Sequence, residues 1–184
     1  MPFSAELPGE DVRIPYANFA FHVSIEPVTG SFAPGKDVDE GLIGAFSEIS
    51  GLEAMMEHKV IKAGGYNHGA QMRAGPVTFG TVVMKRGVVK SQHLWRWWAM
   101  FAGADGATDA RPTLDNRGNV LIGLIRAFDE GDEAQARRVR VGWRLRNAMP
   151  VKFRIGDLNA KGSDVAVEEI HLVHEGLEMS GVLA

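Results

Sequence analysis

Cysteine is absent from the 184 residues, which excludes a disulfide framework, a thiolate metal site and a thiol nucleophile. No apolar run comes near the ~20 residues that a membrane-spanning helix needs. Neither sign of charge is in large excess. The formal net charge is −3 and the pI about 6.1, whereas a free-standing nucleic-acid binder is usually basic. Residues 1–17 read as an irregular lead-in. Met1 to Tyr16 carries Glu6, Glu10, Asp11 and three prolines in place of a charged and then apolar leader, so no secretion signal is expected and synthesis in the cytoplasm is. Internal repeats and low-complexity tracts are also missing.

Apolar residues make up 45% of the chain and charged residues 23%, an ordinary globular composition. A chain of this size buries about 70% of its unfolded surface. One domain over residues 1–184 is therefore expected. Glycine is abundant, at 22 residues, and extended helical patterns are few, which points to β-structure with frequent turns.

Residues 18–26 alternate, with Phe19, Phe21, Val23 and Ile25 on one face, and predict a half-buried strand. Residues 27–41 read as a loop. Leu42 to Ser50 predicts a strand stopped by Gly51, and Met55 to Lys62 an extension with mixed faces. Ala63 to Pro76 reads as a Gly-rich loop. Val77 to Val89 returns to strand, with Val77, Phe79, Thr81 and Val83 on one face. One helix is predicted over about 91–102, with Ser91 as N-cap. Its buried stripe is Leu94, Trp97, Trp98 and Phe101; Trp95 falls off it and suits an edge or a partner. Residues 103–118 read as loop. Asn119 to Asp129 is apolar on both faces, which implies cover on two sides. Two more strands follow, Arg137 to Asn147 and Met149 to Ile155. In Asp164 to Glu178, Val165 and Val167 read as inward and Ile170 and Leu172 fall on the other parity. A bulge or bend near Glu168-Glu169 is therefore predicted. The whole reads as an all-β sandwich or barrel of six to eight strands with one docked helix.

Several residues invite chemistry and carry little of it. His171 and His174 differ by three, so on a strand they point to opposite faces and cannot share an ion; cross-strand polar pairing is the expectation. Glu57, His58 and His68 have no metal-specific spacing. Gly64-Gly65 lacks the lysine and the following helix of a phosphate loop. Trp97, Trp98 and Phe101 suit a core stripe better than a ligand platform. Arg138, Arg140, Arg144 and Arg146 line one face of a strand. The acids Glu168, Glu169, Glu175 and Glu178 are their expected partners, within the sheet or between subunits. No Ser/His/Asp order or paired carboxylates stand out. Catalytic, cofactor-binding and metal-binding residues are thus expected to be none, and the chain is expected not to be an enzyme. Two-faced strands without a site suggest an assembly protein, since open sheet edges must be hidden.

Three stretches carry a family resemblance. The first is Phe46-Ser-Glu-Ile-Ser-Gly-Leu52 with Glu57 and Gly64-Gly65. The second is Val77-Thr-Phe-Gly-Thr-Val-Val-Met-Lys-Arg-Gly87 followed by Leu94-Trp95-Arg96-Trp97-Trp98. The third is Asn147-Ala-Met-Pro150, Gly156-Asp-Leu-Asn-Ala160 and Val167-Glu-Glu-Ile-His-Leu-Val-His-Glu-Gly-Leu177. Together they resemble the T4-like phage tail tube proteins, and most nearly the inner tube protein of contractile injection systems. The resemblance implies a tube fold related to the type VI secretion ring protein: a mainly β barrel or sandwich with one flanking helix. It further implies hexameric rings stacked into a hollow tube that sheath contraction drives through a target envelope, with cargo in the lumen. Implied partners are other copies of the chain, the sheath, the baseplate or hub and the tube-terminating cap, with no specific nucleic acid, no membrane insertion by the subunit and no cofactor. The finished particle would be cytoplasmic, membrane-anchored or released. Residues 52–76 would form an extended loop or hairpin reaching the adjacent ring. The alternatives are a contractile phage tail tube, a baseplate-end tube paralogue, and a small-ligand-binding β-barrel.

Overall fold

The computed structural model describes residues 21–28, 42–44, 46–62, 64, 68–89, 92–103, 116–125, 139–158 and 165–181. Ten strands and one helix follow in chain order: β1 Phe21–Pro27, β2 Leu42–Gly44, β3 Glu48–Ser50, β4 Ala54–Ile61, β5 Gln71–Phe79, β6 Val82–Gly87, α1 His93–Ala102, β7 Gly118–Ile125, β8 Val139–Ile155, β9 Val167–Val173 and β10 Gly176–Gly181. The fold is mainly β with one helix.

Eight strands make one sheet in the order β2-β1-β7-β8-β9-β6-β3, with β10 also on β8. No pairing joins β2 to β3 among the described residues, so this sheet is open and not a closed barrel. Its spine is β8, 17 residues long. The first half of β8 lies between β7 and β10, and the second half pairs with β9. The expected break between Arg137–Asn147 and Met149–Ile155 is therefore absent. Asn147 instead takes a left-handed φ of +50° within one strand, and its amide N–H donates to Asn119 Oδ1 at 3.2 Å.

Period-2 patterning builds the core. Ile25, Val120, Leu145 and Leu177 form one row across four strands. Met84 and Ile170 form another across β6 and β9. Both rows join one buried cluster with Val23, Val82, Leu172, Leu94 and Trp97. Trp97 is 1% exposed, and its indole N–H donates to the Asn116 carbonyl at 3.0 Å, so the helix is pinned as well as packed. Gln92 occupies the N-cap position and makes no side-chain cap bond; the expected cap, Ser91, lies outside the described residues. Gly103 closes the helix in the left-handed conformation, φ +69°, where glycine is preferred.

The phase of the chain near residue 80 differs from the sequence expectation. Val77–Val89 is two strands, because the chain leaves one sheet at Phe79 and enters another at Val82. The inward residues of β6 are Val82, Met84 and Arg86, while Val77 is 50% exposed. In β9 the inward residues are Glu168, Ile170 and Leu172, and Val165 is exposed. No bulge interrupts β9 against β6; the register shift lies on β8, between Pro150 and Lys152. An acid can point inward because Arg86 stands directly opposite Glu168 and pairs with it. The guanidinium also lies over the Phe46 ring, 5.8 Å from its centroid.

Leu42–Ser50 is likewise two short strands, β2 and β3. Gly51, at φ +80°, turns the chain out of β3, and a Cβ there would strike the Thr81 carbonyl oxygen. Gly51→Ala should destabilise the chain by about 1–3 kcal/mol through backbone strain, measured by urea unfolding.

Candidate assembly surfaces

Residues 52–76 do not form a loop throughout. Gln71–Pro76 belongs to β5, and β4 and β5 make a separate two-stranded hairpin. Every residue of β4 is exposed. The register pairs Ala54 with Phe79, Met56 with Val77, His58 with Ala74 and Val60 with Met72. Alternation puts these eight on one face, a continuous apolar strip interrupted by His58. The opposite face carries Met55, Glu57, Lys59, Ile61, Gln71, Arg73 and Thr78. The two faces stay in phase because Gly75-Pro76 stands against Glu57 alone, a bulge that absorbs one residue. Met56, Val60, Met72 and Val77 are 45–64% exposed. An isolated two-stranded hairpin is marginal in water, so this apolar face calls for cover. The hairpin is rooted where the Gly80 N–H donates to the Glu53 carbonyl at 3.1 Å and where Phe79 stacks on His174, 5.1 Å between centroids.

The outward sheet faces are charged and largely self-paired. Glu48, Lys85, Glu169 and Arg154 form one row across β3, β6, β9 and β8, alternating in sign. Lys85 reaches Glu48 at 3.0 Å, and Glu169 accepts from His171. The His171 bond, countered in part by burial, holds the Glu169 carboxyl below its ordinary value. Of the arginine row, Arg144 pairs with Glu26 at 3.2 Å and Arg146 with Glu178 at 3.3 Å. Arg138 lies outside the described residues, and Arg140 is placed only by its backbone in β8. The remaining acids go elsewhere: Glu168 to Arg86 and Glu175 to Arg117 and Asn147. Asn147 and then Arg117 keep the Glu175 carboxyl below its usual range. Trp95 is 37% exposed and packs at a tilt against Trp98, 5.1 Å between ring centroids, and edge-on against Phe153 at 5.4 Å.

The sequence profile of the T4-like virus tail tube protein gp19 matches residues 17–178, from before β1 into β10. The chain belongs to this tail tube family. No curated protein sequence matches it. Solved structures share its fold. A chain of the anti-feeding prophage baseplate superposes with a TM-score of 0.68 at 24% identity, covering 93% of this chain and 99% of that one. A chain of the sheath-tube complex of the extracellular contractile injection system PVC, in its extended state, gives 0.65 at 21%, covering 93% and 95%. A chain of the anti-feeding prophage tube-terminating cap gives 0.67 at 18%, covering 99% and 100%.

In this tail tube protein His171 pairs with Glu169 and His174 with the Gly176 carbonyl. Among the described residues no three His, Asp or Glu side chains converge on a common point. No helix there is long and apolar enough to cross a membrane. His58 and Glu57 border an open cleft of about 480 Å³ on the hairpin, with Lys59, Arg73 and Gly75-Pro76; small-molecule sites are usually enclosed and apolar. His174 sits at the hairpin root with Nδ1 bonded to the Gly176 carbonyl at 2.9 Å, and its Nε2 is buried without a hydrogen-bond partner among the described residues. Burial pushes its pKa below the ordinary 6.5, against the Gly176 bond, which raises it. The unfolded chain therefore binds this proton more readily. The contribution to stability is complete above about pH 6.5 and is lost as pH falls through the lowered value. His174→Gln should flatten the difference in urea midpoint between about pH 7.5 and about pH 5; an unchanged pH dependence would exclude His174 as its source.

Proposed function

We propose that this chain is the structural inner-tube subunit of a contractile injection system, assembled as six-membered rings stacked into a hollow tube. Sheath contraction drives that tube through a target envelope, with cargo carried in the lumen. The single observation that carries the reading is the family match across residues 17–178. The fold-level likeness to baseplate, sheath-tube and cap chains supports a place in the same kind of particle, with the sheath, baseplate and cap as partners. The surfaces agree with it. A tube subunit needs large obligate contacts, on the order of 2,000–5,000 Å² each, and the chain has an open sheet and an uncovered amphipathic hairpin to supply them. Its work is mechanical and conductive, carried by packed surfaces and not by a reacting group.

In this reading the hairpin makes the contact between rings. Deleting residues 64–72 should leave the circular dichroism spectrum of the eight-stranded sheet intact and stop stacking, so that electron microscopy shows rings or smaller species. Normal tubes from this variant would refute the assignment.

A further inference from the structure

If the hairpin joins one ring to the next, the neighbouring copy must offer it a surface, and in a polymer of one chain that surface is on this same chain. The inference rests on the stacking role given to the hairpin above. The hairpin enters the sheet through Thr81, next to Val82 at one end of β6. At the other end of β6, about 20 Å away at strand rise, lies a second exposed apolar group. The Val88 N–H bonds the Ala166 carbonyl at 2.8 Å and the Gly156 N–H bonds the Val167 carbonyl at 2.7 Å. These bonds hold the segments carrying Val88, Val89, Ile155, Leu158 and Val165 at the same end of the half-sheet, with exposures of 48, 50, 55, 77 and 77%. Two exposed apolar surfaces thus sit at opposite ends of one half-sheet, the arrangement that a head-to-tail contact requires.

Charge matches as well. Lys59 and Arg73 are direct cross-strand partners on the hairpin, and like charges so placed repel. Neither has an acidic partner among the described residues. At the far end of β6, Asp157 is exposed beside Leu158 and is likewise unpaired among the described residues. We infer that the cluster of Val88, Val89, Ile155, Leu158 and Val165 is the seat for the hairpin of the next copy, with Asp157 facing its Lys59–Arg73 pair.

The absence of cysteine makes the test free of background. Met72→Cys and Leu158→Cys are placed in separate copies, both at exposed positions that tolerate change, and the copies are co-assembled and treated with a short bis-maleimide. The expected result is a cross-linked product containing one copy of each variant, formed in tubes and absent when the tubes are dissociated before the reagent is added. Normal tubes without that product would overturn the seat while leaving the stacking role in place. Tubes that survive deletion of residues 64–72 would overturn the stacking role itself. A charge swap gives an independent reading. Asp157→Lys should weaken stacking, and combining it with Lys59→Glu and Arg73→Glu should restore it; a triple variant no better than Asp157→Lys would also count against the seat.

Discussion

Glu168→Ala should lower the unfolding free energy by about 3–5 kcal/mol, the loss that follows when one member of a buried ion pair is removed. Arg86 is 2% exposed and Glu168 7%, and they face each other across β6 and β9 on the inward side of the sheet. Without the carboxylate, the guanidinium loses its ion-pair partner at a buried position beside the Phe46 ring. The opposing change is equally informative. Arg86→Met combined with Glu168→Leu should recover most of the loss, because apolar groups of similar volume often replace a buried pair without cost. Urea unfolding of the dissociated chain measures both. A loss below about 1 kcal/mol for Glu168→Ala would show that the pair behaves like an exposed one.

Val60→Glu together with Met72→Glu should abolish tube formation and leave folding nearly unchanged. The two residues are direct cross-strand partners on the apolar face of the hairpin, 45% and 64% exposed. Exposed substitutions away from packed features usually change stability by no more than about 0.5 kcal/mol, although the facing carboxylates repel within the strand pair. In an assembled contact the same carboxylates would be buried against an apolar surface, which costs far more than the site can return. Gln71→Glu on the opposite face is the control for charge alone. Sedimentation separates the cases: a folded, unassembled double variant supports the account, and wild-type tubes from it contradict the role of this face.

Which parts of this fold were legible in the sequence follows from where the residue pattern is pure. Phe21, Val23 and Ile25 alternate with polar neighbours, and β1 lies where the alternation puts it. The α1 stripe is partly correct: Leu94 and Trp97 are buried, while Trp98 and Phe101 are half-buried and Ala99 shares the core. The pattern failed where function or pairing placed polar groups inward. Val82-Met84-Arg86 and Glu168-Ile170-Leu172 are inward triplets that each contain a charge, so the rival parity with Val77, Phe79, Thr81 and Val83 looked cleaner. The available signal was that an Arg and an acid each intruded on an otherwise apolar parity, as a buried pair would. Glycine concealed β5, because Gly75-Pro76 reads as a turn while acting as a bulge. Arg144 and Arg146 were legible as outward basic residues, but Glu26, the partner of Arg144, is 118 residues distant. Local spacing holds no record of such a contact. The family resemblance supplied what local patterning could not, namely the tail tube family to which the chain belongs.

The most direct test of the central claim is to purify the full chain, concentrate it, and image it by negative-stain electron microscopy with light scattering on the same sample. Sixfold rings or stacked hollow tubes, with a scattering mass that grows with concentration, are the predicted result. A species that remains monomeric at every concentration, and that also fails to elongate on a preformed baseplate, would contradict the account of this chain as a tube subunit.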